Sequence, residues 1–174
     1  MASETIRSMA LSARQAGLQL CATSAQQRND ALLAIADAIH KHLPDILAAN
    51  ERDIAKATAE NLSSPLLSRL RFGEAKAARV TEGLKALAQL PDPLNRVQYA
   101  NELAEGLKLY RTTCPIGVIG IIFESRPDAL VQISSLCLKS GNAVLLKGGR
   151  EAMETNEVLQ QAIDGDVNEI EKLC

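Results

Sequence analysis

The sequence predicts an α/β protein: a helical layer at the N-terminus, a β-hairpin in the middle and part of a parallel sheet towards the end. Three observations predict it. Residues 3–90 carry apolar side chains at helical spacing, segment after segment. Past Pro91-Asp92-Pro93 the period shortens to two. From Ile116 onward, two short apolar runs flank one helical segment, which is the pattern of a βαβ unit.

Each element has its own local reason. In the first helix Ile6, Met9, Ala10, Ala13, Ala16 and Leu20 recur on one face. Ser24 and Gln27 have capping-box spacing ahead of a second helix, whose apolar face carries Leu32, Ile35, Ala36, Ile39 and Leu43. Pro44 suits the first turn of a third helix through Ile46, Leu47 and Ile54. Ser64-Pro65 reads as cap and first residue of a short helix. Val80, Leu84 and Leu87 mark the face of another that stops at Pro91. Leu107 and Leu109 then alternate with Lys108 and Tyr110, and Glu105-Gly106 supplies a turn, so residues 97–113 read as a hairpin. "IGVIGII" (Ile116–Ile122) is apolar on both faces, as a buried parallel strand should be. Pro127 opens a helix with Leu130, Ile133 and Cys137 on one face, closed by Gly141. "AVLL" (Ala143–Leu146) is the next strand and Arg150–Ile163 the next helix. The crossover should be right-handed.

Composition narrows the function classes. The 174 residues are 47% hydrophobic and 23% charged, ordinary globular material able to bury a core. Trp is absent, and two Phe and two Tyr leave Ala and Leu to do the packing, which favours close helices. A net charge of −2 without a basic run argues against nucleic-acid binding. No apolar run reaches the ~20 residues of a membrane span. "MASETIRSMA" lacks the basic head and apolar centre of a secretory signal. Cys21, Cys114, Cys137 and Cys174 have no metal-ligand spacing, so free, mostly buried thiols in a reducing cytoplasm are expected. His40 and His42 are two apart and face different directions, so they make no metal pair.

In open α/β sheets, ligands bind beyond the carboxyl ends of the strands. Two loops of this chain lie there, "FESRPD" (Phe123–Asp128) and "KGGRE" (Lys147–Glu151). Each runs into a helix N-terminus, where free N–H groups and the helix dipole favour an anion. Lys147 and Arg150 add full charges; the plainer alternative is a pair of solvated helix-start residues. There is no GxxxxGK[ST] and no GxGxxG, so a Walker-type phosphate loop is excluded. Gly148 and Gly149 either make the turn or let a ligand approach the backbone. Glu124, Ser125 and Arg126 could position an anionic substrate, Arg126 by bidentate pairing and Ser125 by a hydrogen bond. The alternative is a local Glu–Arg pair beside a serine cap.

The run "CPIGVIGIIFESRPDALVQISSLCLKSGNAVLLKGGREA" resembles the γ-glutamyl phosphate reductases (glutamate-5-semialdehyde dehydrogenases) of the aldehyde dehydrogenase superfamily. "LAANERDIAKA" and "ELAEGLKLY" fit the same family, and the resemblance covers residues 3–163. It implies an aldehyde dehydrogenase-like fold whose partial parallel sheet is of Rossmann type. It implies an oxidoreductase of proline biosynthesis, which reduces γ-glutamyl phosphate to glutamate 5-semialdehyde with NADPH through a cysteine thiolate. By position, Lys147 matches the lysine that reaches the adenosine ribose. Arg150 falls where many NAD-using relatives carry a glutamate, and an arginine there suits a 2′-phosphate. Ile121, Ile122 and Phe123 match the strand end lining the cofactor cleft, beside the Gly148-Gly149 turn. Ser125 falls where many members hold the oxyanion with an asparagine, and a hydroxyl there is a departure. Glu124 and Arg126 belong to the family's own loop and face the acidic substrate.

The resemblance also implies a division: residues 1–95 as the helical part of the cofactor domain, 96–113 as an oligomerisation hairpin, 114–163 as a partial nucleotide-binding βαβα unit, and 164–174 as a divergent tail. The family's nucleophilic cysteine lies well beyond "LLKGG", so the expectation is a truncated chain with no catalytic residue, inactive alone, cytoplasmic, and a homo-oligomer through residues 97–113.

Overall fold

A computed structural model describes the backbone of residues 2–171 and the side chains of residues 5–165. Its elements run α1 (Ala2–Cys21), α2 (Ala25–Lys41), α3 (Leu43–Ala59), α4 (Ser64–Leu70), α5 (Glu74–Gln89), β1 (Val97–Ala104), β2 (Leu107–Thr112), β3 (Val118–Ile122), α6 (Pro127–Lys139), β4 (Ala143–Lys147), a 3₁₀ turn (Arg150–Ala152) and α7 (Met153–Glu171).

The core forms where four amphipathic helices meet. Leu32, Ile35, Ala36 and Ile39 of α2 pack with Ala77, Val80, Leu84 and Ala88 of α5, Leu130 and Val131 of α6 and Leu159 of α7. Phe72 and Ile46, both fully buried, close its end. Small residues on α2 and α5 let these helices approach closely, as the near-absence of aromatics implied. A satellite cluster of Ala57, Leu70 and Ala152 joins α3 and α4 to the 3₁₀ turn.

The caps follow the sequence in most cases. Ser24 and Gln27 form the reciprocal capping box of α2. Pro44 sits in the first turn of α3. The N-cap of α4 is Ser63, not Ser64, and its side chain makes no capping bond. Gly141 follows α6 at φ +69, so its freedom from a Cβ is used there. Lys139, at the end of α6, is buried and donates to Asn29 Oδ1 (2.6 Å), Ala88 O (3.1 Å) and Leu90 O (2.8 Å). Desolvation lowers its pKa.

Three expectations need correction. On α1, Ala13 and Leu20 are half-buried, and Gly17 is buried, where an added Cβ would stand 3.4 Å from Ala143 Cβ of β4, but Ile6 (66% exposed), Met9 (52%), Ala10 and Ala16 are exposed. β3 begins at Val118 and alternates exposed and half-buried residues along its length. It pairs with β4 alone among the described residues; α1 packs on both strands and α6 on β4, and Val118, Gly120 and Ile122 are left exposed. Cys137 is buried and burial raises its pKa, yet Cys21 and Cys114 are exposed free thiols. Cys174 lies outside the described residues.

β1 and β2 form an antiparallel ribbon with a Glu105-Gly106 turn, Gly106 at φ +78. Every residue of both strands is exposed. β3 and β4 are parallel, from Val118 opposite Ala143 to Ile122 opposite Lys147. Asn142 fixes that register: its Oδ1 accepts from Ile116 N (2.7 Å) and Gly117 N (2.9 Å).

Candidate functional site

The register brings the two loops side by side. Phe123 N donates to Lys147 O at 3.0 Å, one step beyond the strands. Past that point the loops are tied by side chains. Ser125 is buried, and its hydroxyl donates to Glu151 Oε2 at 2.7 Å. A bond from the Glu151 backbone N–H, and then the one from Ser125, hold the Glu151 carboxyl below its ordinary pKa. Ser125 therefore caps no helix; the N-cap of α6 is Arg126, without a side-chain cap bond.

The glycines serve close approach here. Gly149 has φ −69 and ψ 151, which any residue can adopt. A Cβ on it would stand 2.5 Å from Glu151 Oε2 and 2.7 Å from Ser125 Oγ. A Cβ on Gly148 would stand 2.6 Å from Asn156 Nδ2 and 3.1 Å from Phe123 Cζ. Both glycines give room to neighbouring side chains, a further reason for a missing Cβ beside the two expected from sequence.

Lys147 and Arg150 are exposed beside this turn. Lys147 Nζ lies 3.5 Å from Gly148 O. Arg150 lines a cleft of about 220 Å³ with Asp53, Lys56, Glu60, Glu151 and Met153. Ile121 and Phe123 are half-buried, and Ile122 is 82% exposed at the strand end.

The expected free N-terminus of the last helix is not free. Asp53, buried on α3, accepts from Thr155 N (2.8 Å), Thr155 Oγ1 (2.7 Å) and Glu154 N (3.3 Å). Asn50, one turn earlier, bridges Thr155 Oγ1 (3.2 Å), Leu70 O (2.9 Å) and Phe72 N (2.8 Å). Arg52 (2.5 Å) and Lys56 pair with Glu154, lowering its pKa. An anion at the first turn of α7 would have to displace a carboxylate that is already there.

The Phe123–Asp128 loop is also met by residues that the sequence did not point to. Glu124 and Arg126 do not pair with each other. Glu124 Oε2 accepts from Arg69 Nη1 of α4 at 2.8 Å. Arg126 Nη2 donates to the buried Asp128 at 2.9 Å. Lys76 of α5 stands 3.5 Å from Asp128 Oδ1 and donates to Arg69 O (3.1 Å) and Arg71 O (2.6 Å). No local motif could have revealed Arg69 or Lys76, because both arrive from far along the chain. Among the described residues no group of His, Cys, Asp and Glu could hold a metal ion.

No protein-family model matches the chain. It is 54% identical over 159 residues to the gamma-glutamyl phosphate reductase of Ruminiclostridium cellulolyticum, across 91% of this chain and 37% of that protein. The crystal structure of gamma-glutamyl phosphate reductase from Saccharomyces cerevisiae superposes with a TM-score of 0.89 at 38% identity, over 92% of this chain and 41% of that one. Nine-tenths of this chain is thus similar to a part of the gamma-glutamyl phosphate reductases. It spans little more than a third of the length of the curated relatives it matches. A probable aldehyde dehydrogenase from Listeria monocytogenes shares the fold, with a TM-score of 0.70 at 14% identity over 96% of this chain and 34% of that one. The aldehyde dehydrogenase-like α/β fold expected from the reductase resemblance is therefore the observed one.

Proposed function

We propose that this chain carries the adenosine end of an NADPH site in the reduction of γ-glutamyl phosphate to glutamate 5-semialdehyde, a step of proline biosynthesis. The supporting observation is the pair of exposed cations, Lys147 and Arg150, at the carboxyl end of β4, with no carboxylate in an ion pair with either among the described residues. Lys147 reaches the ribose and Arg150 the 2′-phosphate. In this reading Ile121, Ile122 and Phe123 lie along the cofactor at the end of β3, and the Gly148-Gly149 turn brings Phe123, Ser125 and Asn156 against the backbone without a Cβ between them. When bound, the cofactor supplies hydride. The chain's own residues bind and orient its far end.

No cysteine here is proposed as nucleophile. A working thiolate needs a lowered pKa. Cys137 has the reverse, raised by burial, and Cys114 precedes β3 at the end opposite the loops. Ser125 is also an unsuitable oxyanion donor, because its one hydroxyl proton is already directed to Glu151. The chain alone is therefore proposed to be inactive, with its setting a cytoplasmic enzyme.

The test is fluorescence titration of NADPH into the 174-residue chain. Lys147→Ala and Arg150→Ala should each weaken binding about tenfold, the worth of a charge-assisted hydrogen bond. Unchanged affinity in both variants would remove the assignment.

One observation favours a second, compatible role. The β1–β2 ribbon exposes Val97, Tyr99, Leu103, Leu107 and Leu109. A two-stranded ribbon is marginal in water by itself. We propose that it pairs with another subunit in a homo-oligomer.

A further inference from the structure

The cluster around the Glu124–Asp128 loop has a charge order that the cofactor does not use. Arg69, Lys76 and Arg126 are interleaved with Glu124 and Asp128. Its outer pair, Arg69 and Glu124, is open to solvent, at 54% and 73% exposure of the two side chains. Its inner member is the buried Asp128, whose Oδ1 accepts no hydrogen bond among the described residues and has Lys76 at 3.5 Å. Lys76 also clamps the last carbonyls of α4, so Arg69 is presented from a fixed helix end. The loop is thus held on its inner side and carries a cation and an anion 2.8 Å apart on its outer side.

Resting on the reductase reading above, we propose that Arg69 and Glu124 bind the amino-acid end of the substrate, Arg69 taking its α-carboxylate and Glu124 its α-ammonium. The chemistry favours that end over the phosphoryl end. A phosphate would gain from Arg69 and Arg126 but be repelled by Glu124 and Asp128. A zwitterion satisfies both members of the outer pair, replacing one exposed ion pair by two. An exposed pair contributes little by itself, so opening it costs little. Arg69 comes from the helical layer, which makes that layer part of the substrate site.

The test is isothermal titration of three probes into the 174-residue chain: L-glutamate, glutarate, which lacks the ammonium, and inorganic phosphate. L-Glutamate should bind more tightly than either of the others. Arg69→Ala should weaken L-glutamate about tenfold, and Arg69→Lys should restore part of the loss. Glu124→Gln should weaken L-glutamate but leave glutarate unchanged or improved. Circular dichroism melts confirm that the variants fold. Equal binding of L-glutamate and glutarate, phosphate binding tightest, or no L-glutamate binding would each overturn the proposal. NADPH titrated into the same samples separates the two readings. If L-glutamate binds as expected and NADPH does not, the cofactor assignment fails and this one stands. If NADPH binds with the expected sensitivity to Arg150 and L-glutamate does not, the reverse holds.

Discussion

Asp53 caps α7 from another helix: its Oδ2 accepts both the amide of Thr155 at 2.8 Å and the hydroxyl at 2.7 Å. The start of α7 follows directly on the loop carrying Arg150, so α3 sets where that loop stands. Asp53→Ala would leave buried donors without partners. It should destabilise the fold by about 2–3 kcal/mol, measured by urea denaturation. Asp53→Asn keeps one acceptor and should cost less.

Arg150 is expected to discriminate between cofactors. Arg150→Ala should weaken NADPH about tenfold while leaving NADH nearly unchanged, because NADH has no 2′-phosphate for it to hold. Parallel titrations of the two nucleotides measure the ratio. Equal losses would move Arg150 away from the 2′-phosphate.

Gly149→Ala should separate the two loops. Its Cβ would fall 2.5 Å from Glu151 Oε2 and 2.7 Å from Ser125 Oγ, so the Ser125–Glu151 bond must break or the turn must shift. The backbone there is unstrained for alanine, so the effect comes from crowding alone. The expected outcome is a melting temperature lowered by a few degrees, roughly the effect of 1 kcal/mol in a domain this size. NADPH affinity should drop with it. Ser125→Ala combined with Gly149→Ala should be milder than the sum of the two, which a double-mutant cycle reads directly.

Glu151 gives a pH dependence, through its own backbone N–H first and the Ser125 hydroxyl second. The folded pKa of Glu151 lies below its ordinary value of 4.5. Its contribution is therefore complete above that value and is lost as pH falls through the lower, folded one. Melting temperatures of the parent chain and Glu151→Gln should differ at neutral pH and converge in acid. A gap that widens in acid would contradict the geometry.

The ribbon's role can be read from assembly. Leu109→Asp places a charge on its apolar face and should shift the chain towards monomer in analytical ultracentrifugation without altering its helical circular dichroism. An unchanged oligomer would exclude the ribbon as its interface.

What the sequence made legible was local. The capping box at Ser24, Pro44 in the first turn of α3, the Glu105-Gly106 turn and Gly141 behind α6 all depend on neighbours within four residues. Periodicity showed which residues of α1 share a face, but not that Ile6 and Met9 on it would stay exposed. "IGVIGII" read as buried because apolar runs usually are, yet burial of β3 depends on what lies over it. The site was legible as two loops and illegible as a network. Glu151 stood inside the quoted motif, but nothing local linked it to Ser125, and Asp53, Arg69 and Lys76 reach their partners across large sequence separations.

Lys139 ties the crossover to chain far from it in sequence. The three acceptors of its ammonium, on Asn29, Ala88 and Leu90, belong to α2 and to the end of α5. One buried cation thus anchors the end of α6 to two earlier helices, and β4, which starts four residues later, sets out from a point that the helical layer holds in place.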